Sequence, residues 1–488
     1  MPHDPSRRLF LRSAAATAGL LAAGRPCRAQ VLGANDRVRI AVLGLNGRGK
    51  AHLKGFAAAD NVEIAAVVDP DALVLGRTLE TLRQEAGAGG VTTAGFADFR
   101  RVLDDPRIDA VSIAAPNHWH SLMTILAAQA GKHVYVEKPL SHDVAEGRVA
   151  VAAAARHGVV VQHGTQRRSD ADIAGLHAAL KDGRLPRLRI AHGICCKPRD
   201  SIGFREAGDA PATLDWSLWK GPAVIDRYHA NLVPYNWHWF WKTGNGDLNN
   251  QGTHQLDVAS WAIDDDQVHP VRAAALGGRF AWRDQGETPN TLFAMAEYAN
   301  GQRVLFTVRN VTHEGFTRRI ANEYHLEDGS VIVGEGPFRI RRPGTKEFEP
   351  LEIAPGRVTA GGPWQSFVTA VRAGDPRLAN GGVQDAHRSC VLGHLMNNSY
   401  RLGVDEPFNE RALRFGDQPE VAECFLTMHA AMRDGVGIPE DGTTYRVGPM
   451  LTFDPVTERH TGDHAAEADR LLKDPNTPGF EVPALDRV

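Results

Sequence analysis

A short apolar run that ends in clustered glycines leaves few folds open to this chain. VRIAVLGLNGRGK begins at Val38. Apart from Arg39, VRIAVL is continuously apolar, as a strand covered on both faces requires. Gly44, Asn46, Gly47, Arg48 and Gly49 follow, and then a helical pattern. The order strand, glycine turn, helix matches a GxGxxG dinucleotide turn, with Asn46 in place of the second glycine. Asparagine tolerates positive φ better than other side chains. Free N–H groups and the dipole at the helix N-terminus favour a pyrophosphate. VEIAAVVD then reads as a second buried strand closing on Asp69, about 20 residues beyond the turn, where an acid accepts the ribose hydroxyls of NAD. Asp69 repels a 2′-phosphate and so favours NAD over NADP, while Arg48 and Arg77 keep NADP as an alternative.

Further strand–helix units extend the pattern. IDAVSIAAP, KHVYVEKP and GVVVQHG are strands with helical stretches between them. That alternation predicts an α/β fold with a doubly wound parallel sheet. Ligand residues belong at the carboxyl ends of such strands. Those ends carry Pro116, Asn117 and His118, then Glu137, Lys138 and Pro139, then Gln166 and Arg167.

Together these segments resemble the Gfo/Idh/MocA family of NAD(P)-dependent oxidoreductases. The resemblance rests on AVLGLNGRG, PNHWH (116–120), EKP (137–139), GTQRRS (164–169), LDWSLWKGPA (214–223), GNGDLNNQGTHQLD (244–257) and HLMNNSYRLG (394–403). It implies an N-terminal Rossmann domain over 36–165. A second α/β domain with an open, mostly antiparallel sheet follows over 166–458, with a C-terminal helix able to pack back on the first domain. A tail spans 459–488. The second sheet often supports oligomers in this family, so a homo-oligomer is expected.

The resemblance also implies roles. Gly44, Asn46, Gly47, Arg48, Gly49, Asp69, Pro116, Asn117, His120, Glu137, Lys138 and Gln166 would hold the dinucleotide. Lys138 would lie beside the nicotinamide and the substrate hydroxyl, orienting the hydroxyl and stabilising alkoxide charge. Where many relatives carry DxGxH, this chain has Asn250 and His254. An amide hydrogen-bonds a hydroxyl but is no base, so Lys138 and His254 remain as proton acceptors and Asn250 positions. Asp257, on the same helix face as His254, either orients it or pairs elsewhere. Arg167, Trp216, Tyr235, Trp237 and His238 join Asn250 and His254 as substrate contacts. Aromatic faces suit the apolar faces of sugars, although tryptophans also fill cores. His387 and His394 read as structural, because no third ligand stands at a sensible spacing.

Near the N-terminus, SRRLFLR precedes a short apolar stretch and CRAQ. This pattern reads as a twin-arginine export signal over 1–29 and places the mature protein in the periplasm or another exported space. No later apolar run approaches the ~20 residues needed to span a bilayer. A net charge of −3 supplies no field for nucleic acid. Of the five cysteines, Cys27 leaves with the signal and Cys195 and Cys196 are adjacent. Cys390 and Cys424 are left to pair or stay free. No spacing predicts a metal site.

An exported space is not expected to supply free NAD. A dinucleotide enzyme sent there would fold around its cofactor first and restore it within each cycle. Three readings follow: a sugar oxidoreductase with internally recycled NAD, an NAD-dependent glycosidase that transiently oxidises a ring hydroxyl, often at C3, or a non-catalytic sugar-binding scaffold. In the glycosidase, His118, His120 or Tyr235 would protonate the leaving group.

Overall fold

Buried parallel strands dominate the first half of the chain. The structure, a computed structural model, describes residues 36–86 and 93–488; the expected export signal lies outside the described residues. The first sheet contains β1 (Val38–Leu43), β2 (Val62–Val68), β3 (Ala94–Phe96), β4 (Ala110–Ile113), β5 (His133–Val136) and β6 (Val161–His163). Its order is β3-β2-β1-β4-β5-β6, and every pairing is parallel. Helices α1 (Gly49–Ala57), α2 (Asn117–Gln129) and α3 (Val144–His157) connect the strands. α3 shows how local sequence sets an end: the Asp143 carboxylate accepts the Glu146 N–H at its start, and Gly158 at φ 63° closes it.

The second sheet has twelve strands. At its centre lie β7 (Leu188–Cys196), β8 (Arg272–Gly278), β9 (Thr291–Glu297), β10 (Arg303–Arg309) and β11 (Arg319–Leu326). Their order is β11-β7-β10-β9-β8. β7 and β10 run parallel, whereas β7–β11, β9–β10 and β8–β9 are antiparallel. α4 (Gly252–Ala262) lies on one face of this sheet, where Leu256 and Val258 join Ala191, Cys195 and Phe306 in one core.

Late segments return to the first sheet. α5 (Gly362–Ala373) brings Phe367 and Val368 against Val38, Ile40, Phe56 and Tyr135. α6 (Val383–Arg401) serves both cores: Ala386 and Cys390 pack with the first sheet, and Leu392, Leu395 and Met396 with the second. Val482 and Val488, from the C-terminal segment, also pack with the first sheet. Val38–Val488 forms one compact unit. The four described cysteines are free. Among the described residues, no helix is long and apolar enough to cross a membrane.

A buried ion pair ties the loop after β6 to α4. Arg168 meets both oxygens of Asp257 at 3.0 and 3.1 Å, and the two side chains are 5% and 0% exposed. Removing one partner of a buried pair strands the other charge and costs about 3–5 kcal/mol. Arg168→Ala is therefore expected to lose about that much stability in equilibrium urea unfolding. Adding Asp257→Ala should recover part of the loss, because the carboxylate that then lacks its arginine, Asp385, is half-exposed and not buried.

Candidate active site

The glycine turn is built for close approach. Gly44 has φ +85°, and a Cβ there would lie 2.7 Å from the Ala114 carbonyl oxygen. A Cβ on Gly49 would lie 1.9 Å from the Gly44 oxygen, whereas one on Gly47 would meet nothing within 4 Å. Two glycines thus let the chain fold tightly, and the third leaves space outside it. Asn46 does not take the positive φ expected of it; within the turn only Gly44 is left-handed, so asparagine's tolerance is not used. No acidic side chain occupies the first turn of α1, and no side chain caps it. The positive end of its dipole, unopposed by any acidic side chain, suits a pyrophosphate. At the end of β2, Asp69 accepts the Leu45 N–H at 2.9 Å and the Asp71 N–H at 3.0 Å. Burial pushes its pKa up to about 6. At the end of β4, Pro116 precedes Asn117, whose amide nitrogen is buried without a partner and supplies a donor. These features fit a dinucleotide: the turn and α1 for the phosphates, and Asp69 for the ribose.

Glu137 collects the next strand ends. It receives Arg48 Nε at 2.7 Å and the Gln166 amide at 3.4 Å, and it lies 3.3 Å from His52 Nε2. Arg48 is therefore held by Glu137. Burial opposes the charge on Glu137, but His52 and Arg48 hold its pKa well below the carboxylate range.

Lys138 turns toward the second domain. Its Nζ donates to the Asn250 carbonyl at 2.7 Å and to Asn250 Oδ1 at 3.1 Å. The Asn250 amide donates in turn to Asp247 Oδ1 at 3.1 Å. Asp247 is fully buried and paired with Arg199 at 2.8 Å, and Arg199 reaches the Tyr235 hydroxyl at 3.1 Å. Burial lowers the Lys138 pKa to about 8. His254, at the start of α4, is pushed down to about 3 by burial and by Lys138, so its ring is neutral at ordinary pH.

Several expected contacts are corrected. Asp257 does not orient His254, because both its oxygens face Arg168. His120 does not reach outward: its ring nitrogens sit 2.6 Å from the Pro139 oxygen and 2.7 Å from the Ala115 oxygen, clamping two loops together. His118 is likewise buried, with Nε2 3.2 Å from the Trp219 carbonyl. Trp216 stacks on Trp219 at 5.2 Å, and Trp237 stacks on His238 at 3.6 Å; all four rings are engaged by protein neighbours. Trp239 lies beneath Arg199. Arg167 is paired with Glu335 and Asp170. Tyr235, 47% exposed, remains the accessible aromatic of that segment. His387 pairs with Glu458, and His394 bonds Ser141 and Asn249.

Sequence reasoning missed Asp247, Arg199 and Lys197, which bonds Gln251 at 3.0 Å. Asp247 had a signal: it is an acid within the GNGDLNN segment, one helical turn before Asn250.

A glycine turn, a ribose-directed acid and a half-buried lysine at adjoining strand ends define a dinucleotide-dependent oxidoreductase. Residues 38–165 match the Gfo/Idh/MocA oxidoreductase family with its NAD-binding Rossmann fold, and residues 174–332 match the Gfo/Idh/MocA C-terminal domain. The chain belongs to that family and binds NAD. It is 24% identical to the levoglucosan dehydrogenase of Pseudarthrobacter phenanthrenivorans over 405 residues, 77% of this chain and 96% of that protein. It is 31% identical to an alpha-N-acetylgalactosaminidase of Shewanella oneidensis over 163 residues, but spans only 36% of that protein's length. Its fold resembles the WlbA dehydrogenase from Bordetella pertussis in complex with NADH and UDP-GlcNAcA, with a TM-score of 0.56 and 18% identity over 75% of this chain and 98% of that one.

Asp69 gives a pH test. Its carboxylate accepts ribose hydroxyls far more strongly when ionised. NAD affinity, followed by nicotinamide-quenched tryptophan fluorescence, is expected to weaken as pH falls through about 6. Asp69→Ala should weaken binding and abolish that pH dependence.

Proposed function

We propose that this protein is an exported carbohydrate oxidoreductase that oxidises a ring hydroxyl and retains its NAD between turnovers. The observation that carries the reading is Lys138 Nζ, held by both oxygens of Asn250 at the meeting of the two domains. When bound, NAD supplies the hydride acceptor. The chain's own residues manage the proton. A group titrating near the working pH exchanges protons most effectively. Lys138, at about 8, meets that condition, and His254, at about 3, does not. Lys138 in its neutral form takes the hydroxyl proton, and the same group as an ammonium returns it in the reverse direction. His254 accepts a hydrogen bond that orients the sugar, and Tyr235 offers an exposed ring edge. Asn250 fixes the lysine where many relatives use a carboxylate, and Asp247 anchors Asn250 from behind.

Export rests on SRRLFLR, and retention follows from the scarcity of NAD outside the cytoplasm. The similarity to an alpha-N-acetylgalactosaminidase supports a second reading, in which the transient ketone promotes loss of the glycosidic group before reduction. Products separate the two: an oxidised sugar with a reduced acceptor, or a released aglycone with no net redox change. The assembly is expected to be a homo-oligomer, which light scattering reads.

Two experiments test the proposal. Protein recovered from the exported fraction, denatured without added nucleotide, should release near-stoichiometric NAD by mass spectrometry; empty protein would overturn retention. In the oxidation direction, kcat/KM should rise with pH to a plateau above about 8 and should fall through the same range for reduction. Lys138→Ala should cost ~10²–10⁴-fold and remove the titration, whereas His254→Gln keeps it. An unchanged profile in Lys138→Ala would refute the lysine's role.

A further inference from the structure

The face of the second sheet turned away from α4 carries a separate set of donors. Side chains alternate along β7. Ala191 and Cys195 point into the core beneath α4, so Ile190 and His192 point to the opposite face. There α7 (Pro419–Ala430) covers the sheet with Val421, Phe425 and Met428. Antiparallel pairing sets Glu323 of β11 directly opposite His192, and His325 shares the face of Glu323. α7 supplies Cys424 from above.

His192, His325 and Cys424 each place one donor atom within 4.8 Å of the others. Nδ1 of His192 is 3.5 Å from Cys424 Sγ. Ligands on a tetrahedral zinc, with ordinary Zn–N and Zn–S bonds, stand about 3.5 Å apart. The other nitrogen of His192 lies 2.9 Å from Thr307 Oγ1, the kind of outer hydrogen bond that orients a ligating imidazole. Nε2 of His325 is buried and has no partner. Cys424 is a free thiol. All three line a cavity of about 560 Å³ that also contains Glu323. A hydrogen-bonded cluster alone would leave the His325 nitrogen orphaned.

We propose that His192, His325 and Cys424 form a binding site for a divalent transition-metal ion of the zinc class, with the cavity providing the remaining coordination position. Thiolate and imidazole select such ions over magnesium or calcium. Three protein ligands facing open space leave room for water or an exogenous donor. The site is independent of the sugar chemistry. A second group, His269, His387 and Glu458, carries less: it offers no thiolate, it does not line this cavity, and both imidazoles lie 3.3 and 3.1 Å from a single Glu458 oxygen.

The full chain, reduced and stripped with a chelator, would be titrated with Co²⁺ and then Zn²⁺. One ion per chain is expected, with a sulfur-to-cobalt charge-transfer band that Zn²⁺ displaces. Cys424→Ser should lose the band, and Cys424→Ser and His325→Ala should each weaken Zn²⁺ binding ~10-fold or more. His269→Ala should bind like the parent. Circular dichroism and NAD binding confirm that each variant is folded, and the parent's cobalt spectrum stands without any variant. Absence of saturable binding, a cobalt complex without a sulfur band, or binding lost in His269→Ala but kept in Cys424→Ser would overturn the proposal.

Discussion

The active site depends on one buried carboxylate. Glu137 sits at the end of β5 and receives Arg48 from the glycine turn and Gln166 from beyond β6, with His52 of α1 beside it. A carboxylate removed from water is costly unless its oxygens are satisfied. That cost forces three chain segments to one point. It also fixes the backbone of the next residue, Lys138, whose N–H lies 3.2 Å from Glu137 Oε2. The lysine proposed to exchange the proton inherits its position from the charge that precedes it.

A second buried carboxylate does similar work across the domains. Asp247 is enclosed by Arg199, Asn250 and Asn310. Through Asn250 it sets the oxygen atoms that receive Lys138. The neutral amide at position 250 therefore bridges the charged Lys138 and Asp247 by hydrogen bonds. Burial then tunes the two candidate bases apart. Lys138 descends into the working range, and His254 falls below it. The same desolvation lowers both groups, which suits the proton exchange proposed for Lys138 and leaves the His254 ring neutral.

The two sheets are joined by more than their linker. α6 contributes to both cores, α5 packs beneath β1, and Arg168 reaches from the loop after β6 to α4. Chain order predicted a first domain and then a second. Late helices completing an early sheet were legible only as an option, because an amphipathic pattern states that a face is buried and not what buries it. The tryptophan-rich segment shows the same limit: composition suggested a sugar platform, whereas one face of Trp216 stacks on Trp219 and one face of Trp237 on His238.

What the sequence determined by itself was local: the strand–turn–helix of 38–57, the acid at Asp69, and the sequence of strand ends bearing Asn117, Glu137, Lys138 and Gln166. Parallel strands separated by helices must place those ends on one edge, so their convergence follows from chain order. Only the tertiary structure decided that Asp257 serves Arg168, that Asp247 stands behind Asn250, and that His192, His325 and Cys424 meet beneath α7. These pairings join residues far apart in the chain or side chains whose direction periodicity alone leaves undetermined. Their partners are set by which charged and polar groups must be satisfied once water is excluded.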